Sequence, residues 1–428
     1  MSAGRPRRDG LGRGGAFARG ERPTVAGALA VVVLIVVGVL SVDLLGGSLP
    51  TPGLATTGGV AGDVPNRTPD PVKVFAPLVA TRPQLSGTIL FAKAGNLWSV
   101  SGTDVLTQLT TAGTDQSPIF SPDGRTIYFI RLKSARGDLP CATVSASGCL
   151  GTDVHLALDY PVLMAMPAGG GAARELWSGL YSWGGGRYSY FSGLWQPAIR
   201  PDGLTFAVIS DAPDPLANDY QVELLDARTG ELTRPPLAAD YGVGHNDPTW
   251  SPDGSTIAYS YNHRQGALGR PMIALYNVRT HTSAFLTGAG YAQPSYAPNG
   301  RYLVAVRTDA KGRDLVILDA TSGAEILRLT DDGRSFAPAW SPAGNQIVFL
   351  RAHGLALDLW LATLSGTGPS YSVVRLEPLT SQSLLDGTSK PSWYIPPAEM
   401  PIAGQPLASP APTSGSGSIL ASPSPSGP

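Results

Sequence analysis

Seven residues, Pro118 to Gly124 (P-I-F-S-P-D-G), return along the chain. P-A-I-R-P-D-G starts at Pro197, P-T-W-S-P-D-G at Pro248, P-S-Y-A-P-N-G at Pro294 and P-A-W-S-P-A-G at Pro338. A degenerate copy, P-S-W-Y-I-P, starts at Pro391. The first prolines lie 79, 51, 46, 44 and 53 residues apart. Self-similarity at a period near four dozen residues, filled by short strands, marks propeller blades or a repeat array.

Each copy has a local reason. Ser-Pro-Asp-Gly suits a tight turn, because Pro presets φ, Asp bonds back to the backbone and Gly accepts the last position. Runs of β-formers follow: T-I-Y-F-I from Thr126, T-F-A-V-I from Thr205, T-I-A-Y-S from Thr256, Y-L-V-A-V from Tyr302 and Q-I-V-F-L from Gln346. Each turn therefore joins two strands of a hairpin. Two residues after each first proline stands a bulky side chain (Phe120, Ile199, Trp250, Tyr296, Trp340, Trp393), which predicts one packing interface repeated between neighbouring sheets.

The ends of the repeat region complement each other. Thr88–Ala92, Asn96–Val100 and Val105–Leu109 read as three strands with no inner partner, and Pro391-Ser392-Trp393 as an inner strand with no hairpin. Together they predict a sixth blade that closes the ring and leaves no sheet edge there. The fold class expected is all-β: a six-bladed β-propeller of four-stranded antiparallel blades, preceded by one N-terminal transmembrane helix.

That helix rests on the run Val25–Val42, apolar apart from two Gly and one Ser and just long enough to span a hydrocarbon core. Six Arg precede it, and Asp43 follows with no nearby Lys or Arg. The positive-inside bias puts the N-terminus in the cytoplasm and the propeller outside, a single-pass cell-membrane protein. A cleaved signal peptide is the competing reading, but the run is long for one and no small-x-small site follows closely. The expected organisation is a basic cytoplasmic tail over 1–23, a signal anchor over 24–45, a Pro/Gly/Thr-rich linker over 46–84, the propeller over 85–397 and a disordered Pro/Ser/Gly-rich tail over 398–428. The net charge of −1 argues against nucleic acid as a partner.

The S-P-D-G repeats, with P-x-W ahead and I-x-F after, resemble the TolB-type β-propeller repeat over about Leu85 to Pro397. Related repeats are found in the propellers of prolyl-oligopeptidase-like peptidases and in oligogalacturonate lyases. The resemblance implies six blades, a central channel and a binding face at its mouth. The chain has no counterpart of TolB's N-terminal α/β domain.

Three regions are candidates for chemistry. The residues before each first proline should run towards the axis, and Gln116, Trp195, Gln196, His245, Asn246, Asp247, Gln293 and Lys390 form a mixed polar ring there. This ring suits a polar ligand or a peptide end, or simply a water-filled channel. Between blades one and two, Tyr181, Trp183, Arg187, Tyr188 and Tyr190 crowd around three glycines. Either they stack on sugars or peptide side chains, with Arg187 adding a cation–π contact, or they pack as a satellite core. An insertion over Ser134–Asp153 holds the only cysteines, Cys141 and Cys149; outside the cytoplasm a disulfide is expected, with two free thiols as the alternative.

Enzymatic signatures are missing. There is no G-x-S-x-G elbow, P-loop or H-E-x-x-H. His245 and Asp247 lack a third protein ligand, so no metal and no cofactor are expected. The function expected is a membrane-anchored, non-catalytic binding or scaffolding module for a protein or a cell-envelope glycan. The alternative is a lyase-like carbohydrate-active enzyme using the channel mouth.

Overall fold

The computed structural model describes residues 85–102, 106–139, 154–215, 218–237, 244–262 and 270–400. The basic tail, the apolar run, the linker, both cysteines and the tail beyond Met400 lie outside the described residues. Among the described residues no helix is long and apolar enough to cross a membrane.

Six four-stranded antiparallel sheets follow one another around an axis. The chain starts with β1 (Thr88–Lys93), β2 (Asn96–Ser101) and β3 (Thr107–Gln108). Blade one is β4 (Asp115–Phe120), β5 (Thr126–Leu139), β6 (Val154–Pro167) and β7 (Arg174–Ser178). A separate hairpin, β8 (Leu180–Trp183) and β9 (Tyr188–Phe191), precedes blade two: β10 (Leu194–Ile199), β11 (Thr205–Ser210), β12 (Gln221–Asp226) and β13 (Leu232–Thr233). Blade three is β14 (His245–Trp250), β15 (Thr256–Tyr261), β16 (Met272–Asn277) and β17 (Thr282–Phe285). Blade four is β18 (Tyr291–Tyr296), β19 (Tyr302–Asp309), β20 (Gly312–Asp319) and β21 (Glu325–Arg328). Blade five is β22 (Ser335–Trp340), β23 (Gln346–His353), β24 (Ala356–Ser365) and β25 (Ser372–Pro378), and the last strand is β26 (Ser392–Tyr394).

β26 pairs with β1, placing Tyr394, Trp393 and Ser392 opposite Thr88, Ile89 and Leu90. The predicted latch therefore exists, and blade six has the order β26-β1-β2-β3. The Trp393 indole donates to the Ser86 carbonyl at 2.9 Å, and the Gly87 amide donates to the Glu399 carboxylate at 3.0 Å. A side chain at Gly124 would meet the Tyr394 ring, so the first turn seats directly against the latch.

The turns behave as their composition dictates. In the first, the Thr126 amide donates to Ser121 Oγ, which itself donates to the Asp123 carboxylate. The turn at Ser251 repeats both bonds. The bulky register also packs as expected. Trp250 of blade three is buried with Ala207, Ile209 and Val222 of blade two, and Trp340 of blade five with Tyr302 and Val304 of blade four. Truncating such a side chain to Ala typically costs about 3–5 kcal/mol.

A second repeat is a Leu-Thr pair at the outer edge: 109–110, 286–287, 329–330 and 379–380. Each Leu amide donates to a third-strand carbonyl (Leu97, Ile273, Leu315, Leu359). Each Thr hydroxyl then accepts the amide of that same third-strand residue at 2.9–3.0 Å. The pair thus ends the fourth strand and satisfies a backbone donor that water does not reach.

Strand alternation sorts the loops onto two rims. Inner strands end at the tight turns, which form the turn rim. They begin at the opposite, mouth rim, together with the second-to-third-strand hairpins and the links between blades. The insertion in blade one is a mouth-rim tower, because β5 and β6 pair without interruption from Thr126↔Pro167 to Leu139↔Val154. About six residues read as inserted loop thus continue the ladder, and the chemistry of Ser134–Leu139 gave no sign of it.

Candidate binding site in the hub

In five inner strands the ladder slips beside the motif's first proline: between Gln116 and Ile119, Trp195 and Ala198, Asn246 and Thr249, Ala292 and Ser295, and Phe336 and Ala339. The residue before the proline, respectively Ser117, Gln196, Asp247, Gln293 and Ala337, has φ between 49° and 53°. Proline supplies no amide to the ladder, so a bulge is tolerated there, and the left-handed residue re-aims the chain at the axis. None of the five is β-branched, which this conformation would penalise most.

Four of the five strained amides are held from the preceding blade. The Asp247 amide donates to Gln196 Oε1 at 2.7 Å, the Gln293 amide to Ser260 Oγ at 2.8 Å and the Ala337 amide to Gln293 Oε1 at 2.8 Å. The Ser117 amide donates to Ser389 Oγ at 2.9 Å. A belt of side-chain bonds therefore locks the inner strands together around the hub.

Inside this belt lies a cavity of about 190 Å³. Its polar lining includes Gln196, Asp247, Lys390 and the hydroxyls of Ser117, Thr249, Ser295, Thr388 and Ser392, and the rest is apolar, with Pro118, Pro197, Pro248 and Pro391 prominent. Asp247 lines the cavity from blade three, and Lys390 enters from blade six and reaches across to blade four, the neighbour of blade three. Asp247 is buried, with contacts to Gln196 Nε2 at 3.4 Å and Ser260 Oγ at 3.3 Å. Lys390 Nζ donates to the Pro294 carbonyl at 2.8 Å. Burial raises the Asp247 carboxyl above its ordinary value, against the pull of Lys390. Burial likewise lowers the Lys390 ammonium, against the pull of Asp247. The two feel each other's charge without forming a direct ion pair.

Of the eight residues expected at the axis, Gln196, Asp247 and Lys390 line the cavity. Gln293 commits its carbonyl to the belt. Gln116 and Asn246 sit in the ladder opposite Ile130 and Ser260. Trp195 packs into the cores flanking blade two. His245 is fully buried, its ring against Tyr259 and Tyr261, and its Nδ1 accepts the Val222 amide at 3.2 Å. The structure therefore separates His245 from Asp247: one packs between sheets and the other faces the hub. Among the described residues no three metal-ligating side chains of the His, Cys, Asp and Glu type converge. Ser295 and Thr388 were not anticipated; a Ser follows the proline in P-S-Y, and that small signal was available.

The aromatic stretch forms the β8–β9 hairpin, turning through Gly184, Gly185 and Gly186. Tyr190 is buried against Leu139 and Leu158 of the tower, with Tyr181, Trp183 and Phe191 packed around them. Tyr181 stacks on Trp183 with centroids 5.4 Å apart, Trp183 meets Tyr188 at 5.6 Å, and the Arg187 guanidinium lies 5.1 Å from the Tyr188 ring. Tyr190 thus belongs to a satellite core, while Tyr181, Trp183 and Tyr188 stay half-buried and Arg187 is exposed.

Blade two holds a feature that sequence reasoning missed. Asp211 accepts the Gly193 amide at 2.7 Å, and Glu223 accepts from Arg234 Nη1 at 3.1 Å, both carboxylates being buried. Burial pushes Asp211 up to about 7 and Glu223 up to about 8.

Similarity to known proteins lies in the fold. TolB from Acinetobacter baumannii superposes with a TM-score of 0.50 at 16% identity, covering 73% of this chain and 67% of that one. A putative TolB from Agrobacterium tumefaciens gives 0.46 at 16% identity over 74% and 95% of the two chains. Oligogalacturonate lyase in complex with manganese gives 0.40 at 17% identity over 65% and 86%. No family model matches the chain, and no curated protein matches it.

Proposed function

We propose that this propeller is a non-catalytic binding module that receives a protein partner across its mouth rim. The observation that carries this reading is the contrast between the rims. The turn rim is a row of near-identical tight turns. The mouth rim carries the tower and a group of apolar side chains left in solvent, Leu355 94% exposed, Leu384 63% and Phe285 58%, whereas the exposed apolar side chains of the turn rim, Val374 at 62% and Leu204 at 49%, stand on separate blades. Leu355 and Leu384 stand close together between blades five and six, since the Leu385 amide donates to the Leu357 carbonyl at 3.1 Å. Exposed apolar side chains grouped beside a polar cavity are the makings of a protein interface. The resemblance of the repeat to TolB-type propellers runs in the same direction. The aromatic hairpin, spent on its own packing, gives less support to a glycan ligand. The lyase alternative needs a base and a metal-ligand set in the mouth, and divalent-metal analysis of the purified chain is its test.

The chain is held at the outer surface of a cytoplasmic membrane by the segment 24–45, with Arg5 to Arg22 inside. Extraction of the full chain only by detergent, with protease access to the propeller from outside, is the expected result. The partner reading is tested by crosslinking the full chain in envelope preparations. Leu355→Asp with Leu384→Asp is expected to remove the crosslinked product at unchanged thermal stability, and retention of that product would sink the reading.

A further inference from the structure

We propose that the hub cavity is a site for a compact zwitterion, an α-amino acid or dipeptide whose ammonium meets Asp247 and whose carboxylate meets Lys390. This goes beyond the rim reading: the ligand is small, and it sits beneath the surface that a protein partner would cover.

Three observations carry it. The first is charge placement. A single carboxylate, on blade three, and a single ammonium, carried by Lys390 to the blade-four carbonyl of Pro294, line the cavity with no direct ion pair between them. Two opposite charges that line one cavity without pairing are complementary to a molecule carrying both charges, and to neither a simple anion nor a simple cation.

The second is unused hydrogen-bonding capacity. A carboxylate accepts about four bonds, and Asp247 has two, both long at 3.3 and 3.4 Å. An ammonium donates three, and Lys390 Nζ donates one, to Pro294. An amino acid supplies donors for the Asp247 side and acceptors for the Lys390 side at its two ends. The four prolines in the wall bring no amide hydrogens, so a ligand carboxylate depends on Lys390, Gln196 and the hydroxyls.

The third is size and rigidity. A volume of about 190 Å³ exceeds that of cavities known to admit a benzene-sized molecule, roughly 150 Å³. It is too small for a folded element of a partner. The belt of side-chain-to-amide bonds fixes the lining residues before any ligand arrives, which lowers the ordering cost of binding.

The experiment titrates the full chain in detergent with glycylglycine, glycine, acetate and ethylammonium, read by calorimetry and by ligand-observed NMR. Saturable binding of glycylglycine or glycine is expected, at least 10-fold tighter than acetate or ethylammonium. Asp247→Asn and Lys390→Met are each expected to weaken it by about 10-fold or more. Thermal melts accompany each variant. Should either variant unfold, the preference of the wild-type chain for the zwitterion over the two single-charge probes decides alone. Acetate binding as tightly as glycylglycine overturns the proposal in favour of a plain anion site. No zwitterion binding at tens of millimolar overturns it in favour of a structural charge pair. Leu355→Asp is expected to leave glycylglycine binding unchanged, so failure at the rim and failure in the hub are told apart.

Discussion

In blade four, Asp314 is buried at the start of the third strand and receives Arg328 Nη2 at 2.5 Å, Thr330 Oγ1 at 3.1 Å and the Gly333 amide at 3.0 Å. In blade two Arg234 donates to Glu223 and to the Ala212 and Asp219 carbonyls, while Asp211 accepts the Gly193 amide. Blade four neutralises its buried carboxylate with donors. Blade two is short of them, so its carboxyls hold protons at a pH where ordinary carboxylates have lost theirs. The difference shows that one repeat can bury acid in two ways, and in blade two burial raises both carboxyls.

The largest effect is expected from Asp314→Ala, which strands Arg328, Thr330 and the Gly333 amide together. Removing one member of a buried charged network costs about 3–5 kcal/mol, and since Arg328 is a third exposed the low end applies. Denaturant unfolding measures this, and a cost below about 1 kcal/mol would dissolve the contrast between the blades.

Next comes the pH dependence of blade two. Both folded-state values are raised above the ordinary carboxylate value. Their contribution is therefore full below about pH 4 and is lost as pH climbs towards about 8, where the folded carboxyls ionise. Stability is expected to fall on the order of 1 kcal/mol per pH unit across the upper part of that window. Asp211→Asn with Glu223→Gln should flatten the profile while Asp314→Ala leaves its slope unchanged. Melting temperatures from pH 5 to 8.5 provide the check, and an unaltered slope in the double variant would contradict the assignment.

The smallest effect belongs to Thr330→Val, which removes the acceptor for the Leu315 amide and a donor to Asp314. About 1–2 kcal/mol is expected, with no change in pH slope.

How much of this was legible depends on what kind of signal a residue carries. The ring closure was readable because Trp393 and Ile89 are large, apolar and in register with the other copies. The Leu-Thr pair stood in plain view but is only two residues long, and its meaning lies in a third-strand amide some fifteen residues away. The left-handed positions were not legible at all. Ser117, Gln196, Asp247, Gln293 and Ala337 share no chemistry, only a place before proline, where an extended conformation is the usual expectation. That bulge also explains the axis assignments. It breaks strand alternation between His245 and Asp247, so simple parity carried His245 to the hub when its ring belongs between sheets. Asp211 and Glu223 went unnoticed because an acid in a loop and another in a strand give no sign of burial until their neighbours are placed.

The stitching of Ser86 and Gly87 to Trp393 and Glu399 has a consequence for orientation. Inner strand β26 finishes, and β1 begins, at the same rim, so the chain arrives and departs on the side of the tight turns. The described ends of the domain therefore meet at one rim, and the mouth rim carries neither.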